Sequence, residues 1–130
     1  MNLNQALRYA HERLVKTIIY PETTWKEAEV LLAFVLKKER TWLVAHGEET
    51  VSKRQEQAFL KLIERRVAHE PAAYITGSTE FCGQRFIVNK HVLIPRIETE
   101  EMVELAVRAC TDKMMVWDVG TGSGAIAISL

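Results

Sequence analysis

The chain has 130 residues, of which 48% are apolar and 26% charged; this balance is typical of globular proteins and excludes intrinsic disorder and collagen-like structure. The chain has 17 basic and 17 acidic residues. Because binding to phosphates needs a surplus of basic residues, we expect no general nucleic-acid binding. The longest apolar run, residues 30–36, is far below the roughly 20 residues that span a bilayer. We therefore expect no membrane association and, with no visible signal peptide, a cytoplasmic location.

Apolar spacing predicts helices through the first 70 residues. The first helix ends before Pro21, and its apolar stripe follows spacings of three and four residues, at Leu3, Leu7, Ala10, Leu14 and Ile18. Thr24 followed by Glu27 resembles a capping box, which predicts the start of a second helix. The predicted core face of that helix consists of Ala28, Leu31, Leu32 and Val35.

Two more helices are predicted before Pro71. Thr41 is expected to cap a short helix that runs through Ala45 and stops at Gly47. A second capping box, formed by Ser52 and Gln55, predicts a longer helix, with an inner face of Phe59, Leu62, Ile63 and Val67. Because the loops between these helices are short, we expect an antiparallel bundle.

The pattern changes after Pro71. Residues 74–77 are β-prone and end in glycine, and residues 92–94 form another short apolar run before Pro95. Between them, residues 78–81 and 85–88 predict a β-hairpin around Cys82-Gly83-Gln84, with the glycine supplying an unusual backbone angle.

The last third predicts a helix, a strand and a second helix. Residues 99–110 form the first helix, with Glu98, Glu100 and Glu101 near its N-terminus and a buried side of Met102, Val103, Ala106 and Ala109. Residues 114–117 indicate a buried strand, and a helix begins at Ala125. Since the sequence stops one or two turns into that helix, we expect it to hold only the start of this domain.

A glycine-rich turn between a strand and a helix is typical of cofactor-binding units. Gly120, Gly122 and Ala125 satisfy the dinucleotide pattern G-x-G-x-x-G/A. With Gly124 the segment also satisfies D-x-G-x-G-x-G, led by Asp118. A carboxylate repels a pyrophosphate but suits an ammonium or sulfonium group. The pattern therefore favours S-adenosyl-L-methionine over a nicotinamide dinucleotide, which stays as an alternative.

Four segments resemble the HemK-type protein-(glutamine-N5) methyltransferases, which modify peptide-chain release factors. They are EPAAYITG at residues 70–77, Glu80-Phe81 with Gly83 and Phe86, VLIPRIETE at residues 92–100, and the glycine segment 118–124. Ile97 stands where the family usually has a second proline in L-I-P-R-P-E-T-E. The resemblance covers essentially the whole chain.

The resemblance implies an α+β protein with three parts. Residues 1–70 would form a helical substrate-recognition domain, residues 71–95 a β-hairpin connector, and residues 96–130 the incomplete start of a Rossmann-like domain that binds S-adenosyl-L-methionine. The cofactor-binding residues it implies are Asp118, Gly120, Thr121, Gly122, Ser123 and Gly124. Residues that could shape the pocket or a hinge are Arg96, Glu98, Thr99 and Phe81.

The family's Asn-Pro-Pro-Tyr motif, which holds the target glutamine amide, is absent from this sequence. We therefore assign no catalytic residue and expect the 130-residue chain to be inactive alone. No metal site is expected, since the four histidines and two cysteines lack ligand spacing.

Two alternatives to catalysis remain open. The chain could be a helical module that only binds a protein partner, in which case an exposed Trp25 or Trp42 would mark the partner surface. It could also be a nicotinamide-dinucleotide-binding protein. Because the 130 residues hold one strand of a sheet that needs several, the C-terminal part is expected to pack against the bundle or a second copy, or to associate.

Overall fold

A computed structural model describes residues 1–18, 20–111 and 113–130. The chain divides into two compact units, Met1–Thr76 and Gly77–Leu130. Within the described residues, the first unit contains five α-helices and one 3-10 turn, and the second contains a two-stranded antiparallel sheet and two α-helices. The expected α+β class is confirmed. No helix in the described ranges is long and apolar enough to cross a membrane.

The first unit is a helical assembly whose three longest helices contact one another pairwise. Its helices are α1 (Leu3–Leu14), α2 (Thr24–Leu36), α3 (Arg40–Ala45), α4 (Lys53–Val67) and α5 (Ala72–Thr76), with a 3-10 turn at Pro21–Thr23. The predicted stripes supply most of the core, whose buried residues include Leu3, Ala10, Leu14, Ala28, Leu31, Leu32, Phe59 and Ile63. The first helix is shorter than predicted and ends at Leu14. Ile18, which we placed on its apolar stripe, lies beyond the helix but still packs against the core.

The capping box predicted at the start of α4 is confirmed. The Ser52 hydroxyl accepts a hydrogen bond from the Gln55 amide at 3.3 Å, and the Gln55 side chain accepts one from the Ser52 amide at 3.1 Å. These reciprocal bonds satisfy backbone donors that have no partner inside the helix.

The two other predicted caps are wrong. Thr24 is the first residue of α2 rather than its cap, and its buried hydroxyl donates to the Pro21 carbonyl at 2.6 Å. Thr24 already has helical backbone angles after the 3-10 turn, with φ −63° and ψ −34°, whereas an N-cap residue is extended. Thr41 lies inside α3, which begins one residue earlier and has Glu39 at its N-cap.

The chain reverses after α4 in a Schellman motif. Glu70 donates its amide to the Arg65 carbonyl at 3.2 Å, and His69 donates to Arg66 at 3.0 Å. The Arg65 guanidinium binds both carboxylate oxygens of Glu70, at 2.6 and 2.7 Å. This hydrogen-bonded ion pair lowers the pKa of the Glu70 carboxyl below its ordinary value.

Residues 74–76, which we predicted to be β-prone, are helical. The Pro71 carbonyl accepts hydrogen bonds from the Tyr74 and Ile75 amides at 2.9 and 3.1 Å, which starts α5. Ile75 packs into the core of the first unit, and Gly77 follows with a φ of +76°. Packing of the isoleucine on the helical core outweighs the local β preference.

The second unit contains the predicted hairpin, with β1 at Ser78–Phe81 and β2 at Gln84–Ile87. Phe81 pairs with Gln84, so the turn consists of Cys82 and Gly83 alone and is one residue shorter than predicted. Both turn residues have positive φ, 48° at Cys82 and 70° at Gly83. Two left-handed residues in succession match the right-handed twist of paired strands.

Two helices complete the second unit, α6 (Glu98–Ala109) and α7 (Ala125–Ser129). Its small core consists of Phe81, Phe86, Val103 and Ala125. Of the four residues predicted on the buried side of α6, only Val103 is buried, whereas Met102 is 48% exposed. α6 packs against the hairpin and the short helix α7, and these two elements are too small to cover all four apolar residues that the sequence pattern places on one side of α6.

The strand predicted at residues 114–117 is not formed. Met115 is 82% exposed and Trp117 is 79% exposed, and the sheet of the described residues contains the hairpin strands alone. An extended apolar segment becomes a strand only when a neighbouring backbone pairs with it. The predicted Rossmann-like start is therefore not confirmed.

Candidate functional site

The glycine segment forms an open loop directly before α7. Gly120, Gly122 and Gly124 all have positive φ, of 81°, 55° and 78°. The loop is closed by the Gly124 amide, which donates to the Thr121 carbonyl at 2.8 Å. Thr121 is exposed and Ser123 is half-buried. Three left-handed residues in five positions strongly favour glycine, because residues with a Cβ atom adopt that backbone conformation only at a cost.

Glycine also leaves the loop backbone uncovered. A Cβ atom at Gly120 would have nothing within 4 Å, and one at Gly122 would meet only the Gly120 carbonyl oxygen, at 3.9 Å. At Gly124 a Cβ atom would lie 3.2 Å from the Ile128 side chain. The first two glycines therefore keep backbone groups accessible, and the third allows α7 to pack close to the loop.

Asp118 lies two residues before the first glycine and is half-buried. Its Oδ2 atom is buried and has no hydrogen-bond partner among the described residues. A buried carboxylate oxygen without a donor is costly. The arrangement suits a ligand that brings its own donor or positive charge to this point.

The residues predicted to shape the pocket or a hinge fall into two groups. Arg96 and Glu98 are exposed and Thr99 is half-buried, with the Thr99 amide donating to the Arg96 carbonyl at 3.0 Å. Phe81 is 1% exposed and lies edge-on to Phe86, with ring centroids 6.1 Å apart. Phe81 shares the core with Ala125, the residue that follows the glycine loop. Its contacts therefore support the base of the loop.

One contact of this unit was missed by sequence reasoning. The Glu100 carboxylate accepts a hydrogen bond from the Cys82 amide at 2.8 Å and thereby joins α6 to the hairpin turn. The two residues also line an open groove of about 630 Å³ together with Gly83, Glu104, Arg108 and Ser129. Three glutamates crowd the start of α6, and nothing in the sequence distinguishes the one that reaches the turn.

Aromatic contacts account for two of the histidines. The His11 ring stacks on Trp25 and the His46 ring stacks on Trp42, each with centroids 4.2 Å apart. Within the described ranges, no group of three or more His, Cys, Asp or Glu side chains could hold a metal ion. Trp25 is 45% exposed, whereas Trp42 packs against the core.

The amino-acid sequence is similar to the sequences of several methyltransferases. Over 99% of its length, the chain is 39% identical to a bifunctional methyltransferase of Rickettsia typhi. It is 44% identical over 80% of its length to the release factor glutamine methyltransferase of Neisseria gonorrhoeae. It is also 39% identical over 97% of its length to the enzyme of that name from Shewanella oneidensis.

The chain spans 28%, 38% and 43% of the lengths of these three relatives. A family model described as the PrmC N-terminal domain matches residues 5–77. The identities to these relatives and the match to the family model confirm the resemblance to the release-factor glutamine methyltransferases. Because that model covers more than half of the sequence, the chain belongs to the family of the PrmC N-terminal domain.

Proposed function

We propose that this chain is the N-terminal part of a release factor glutamine methyltransferase that uses S-adenosyl-L-methionine. The single observation that carries the proposal is the loop of three left-handed glycines next to the buried Oδ2 atom of Asp118, which has no hydrogen-bond partner among the described residues. The names of relatives that align with 80% or more of the chain support the same reaction. The proposed reaction is methyl transfer to a glutamine side-chain amide.

The residues of the loop fit the proposed cofactor. The buried Oδ2 of Asp118 needs a donor, and the ammonium group of S-adenosyl-L-methionine can supply one. The uncovered backbone at Gly120 and Gly122 allows a ligand to approach closely. When bound, the cofactor would supply an electrophilic methyl group on its sulfonium. Asp118 and residues 120–124 would hold and orient it.

We propose that the remaining parts serve substrate recognition. Residues 1–70 would contact the release factor, and residues 71–95 would connect this helical part to the cofactor-binding part. Arg96, just before α6, and Glu98 and Thr99, at its start, would then shape the pocket or a hinge between the two parts. These assignments are supported by the resemblance of residues 70–77 and 92–100 to the family motifs.

Calorimetric titration of the purified chain with S-adenosyl-L-methionine tests the proposal. We expect binding that weakens about tenfold or more in Asp118→Asn and in Gly122→Ala, because the first removes a charge-assisted bond and the second strains the loop. Gly77→Ala is the matched control, because Gly77 has a similarly positive φ of 76° outside the loop. It should leave the affinity unchanged.

Two results would count against the proposal. The first is a wild-type chain that does not bind S-adenosyl-L-methionine. The second is a chain that binds a nicotinamide dinucleotide more tightly in a direct competition. The latter would favour the dinucleotide interpretation of Gly120, Gly122 and Ala125.

A second candidate function, a protein-binding module without catalysis, is favoured by the aromatic surface of the first unit. Trp25 is 45% exposed and Tyr20 is 64% exposed, and exposed aromatic side chains are enriched at protein interfaces. In a pull-down with release factor, Trp25→Ala should weaken binding. Trp117→Ala, which removes a 79% exposed tryptophan from the second unit, should not. Release factor binding without S-adenosyl-L-methionine binding would support the module.

A further inference from the structure

The Cys82 amide has a partner that comes from a distant part of the sequence. Cys82 lies in the hairpin turn, outside the paired residues of β1 and β2. Its N–H donates to Oε1 of Glu100 at 2.8 Å, across 18 residues of sequence. An ionised acceptor makes this bond stronger than one between neutral groups. The turn is thereby attached to the first turn of α6.

The same face of α6 also reaches the base of the glycine loop. Val103 follows Glu100 by three residues, so the two side chains lie on one side of the helix. Val103 is 3% exposed and packs in the cluster that contains Phe81 and Ala125. Ala125 directly follows Gly124, the last glycine of the loop. One turn of α6 therefore binds the hairpin turn through Glu100 and packs through Val103 in the same cluster as Ala125, the first residue after the glycine loop.

We infer that Glu100 is a positioning residue, which fixes the hairpin on α6 and through Val103 and Ala125 restrains the glycine loop. The restraint itself is independent of the proposed function. Its consequence, tighter binding of the cofactor, rests on that function. Glu100 is half-buried, whereas its neighbours Glu98 and Glu101 are exposed. Among these three glutamates, the described contacts assign the restraint to Glu100.

The test compares Glu100→Ala, Glu100→Gln and Glu101→Ala in the full chain. Glutamine keeps an acceptor oxygen for the Cys82 amide, and alanine removes it. Glu101→Ala removes the same charge from the first turn of α6 without touching the hairpin. It therefore controls for the loss of helix-dipole stabilisation. Thermal unfolding of each variant confirms that it folds.

Amide hydrogen exchange, followed residue by residue by NMR, is the first readout. In Glu100→Ala we expect exchange at Cys82 to accelerate about tenfold, as loss of a bond to a charged group implies. Exchange at Gly124, whose amide closes the loop, should accelerate as well. Glu100→Gln should restore most of the protection, and Glu101→Ala should match the wild type. Unchanged exchange at Gly124 in Glu100→Ala overturns the inference.

Affinity for S-adenosyl-L-methionine is the second readout and separates the two proposals. If the wild type binds, we expect Glu100→Ala to bind severalfold more weakly and Glu100→Gln to recover most of the loss. Equal affinity in all variants overturns the positioning role. If the wild type does not bind, the proposed function fails, and the exchange rates at Cys82 and Gly124 still decide whether Glu100 restrains the loop.

Discussion

Individual residues of this chain adopt backbone conformations that their side chains disfavour. His69 has a φ of 66° and Lys37 a φ of 54°, and each ends a helix in the left-handed region. At such positions glycine is preferred, because a Cβ atom costs energy there. The surrounding hydrogen bonds, such as that from the Glu70 amide to the Arg65 carbonyl, hold His69 in place despite this cost.

Replacing His69 by glycine should therefore stabilise the first unit. We expect a gain of about 0.5–1 kcal/mol in the free energy of unfolding, since relief of the left-handed strain exceeds the added entropy of the unfolded chain. His69 is exposed, so little packing is lost. Chemical denaturation measures the change. The control Ala68→Gly, at a residue with a φ of −75°, should destabilise, and a loss of stability in His69→Gly would contradict the account.

Two polar features of single residues also matter for the candidate site: the Oδ2 of Asp118, which has no described partner, and the bond between Glu100 and the Cys82 amide. The residue types of the glycine segment indicated a cofactor loop, and the positive φ of its three glycines agrees with the use of glycine there. The lack of a described hydrogen-bond partner for the buried Oδ2 of Asp118 depends on groups that are not its neighbours in sequence. So does the bond between Glu100 and Cys82. Short-range patterns carry no information on such contacts.

At the scale of secondary-structure elements, the helix starts differ in how they are capped. The start of α4 has a complete capping box, whereas no side chain caps α2 or α3. The sequence predicted helix caps at Thr24, Thr41 and Ser52, and only Ser52 forms the predicted cap. For Thr24 the difference arises because the preceding 3-10 turn leaves its backbone helical, with a ψ of −34°, whereas the backbone of Ser52 is extended, with a ψ of 152°.

Ser52→Ala should cost about 1 kcal/mol of unfolding free energy, because it removes the acceptor for the Gln55 amide. Thr41→Ala is the matched control, since Thr41 lies inside α3, where alanine is the better helix former. It should be neutral or slightly stabilising. Thermal and urea unfolding compare the two variants. Equal losses in both would mean that the cap contributes nothing.

Strands were harder to predict than helices. The hairpin was found because its turn residues and strands are neighbours in sequence, so local pairing suffices to form it. Residues 114–117 have a strand-like composition but no partner in the described structure. Residues 74–76 are helical because Ile75 packs on the first unit's core. A strand prediction is sound only where the pairing partner is also known.

At the scale of the whole molecule, the two units differ in how much apolar surface they bury. The first unit has a contiguous core drawn from all five helices and from Val51. Among its described residues, the second unit has a buried cluster of Phe81, Phe86, Val103 and Ala125. It leaves Met115, Trp117 and Val119 at least 79% exposed. Exposed apolar surface of this extent favours association.

The first unit should accordingly fold on its own. We expect residues 1–76, expressed alone, to be monomeric and to unfold cooperatively, because a domain with its own core is independently stable. The full chain at equal concentration should self-associate through the second unit. Circular dichroism and light scattering measure both properties. A non-cooperative transition for residues 1–76, or a strictly monomeric full chain, would contradict the respective expectation.

Residue order alone specified the four longer helices of the first unit with most of their buried faces, the hairpin and the glycine-rich turn, because helix periodicity and turn chemistry depend on residues a few positions apart. It missed α5 and most of the exposed side of α6. Folding in three dimensions settled which of the three predicted caps formed, namely the one at Ser52. It also settled whether an apolar segment found a strand partner, and which of three glutamates met the Cys82 amide. Those outcomes depend on groups that are distant in sequence and meet only when the core of each unit packs.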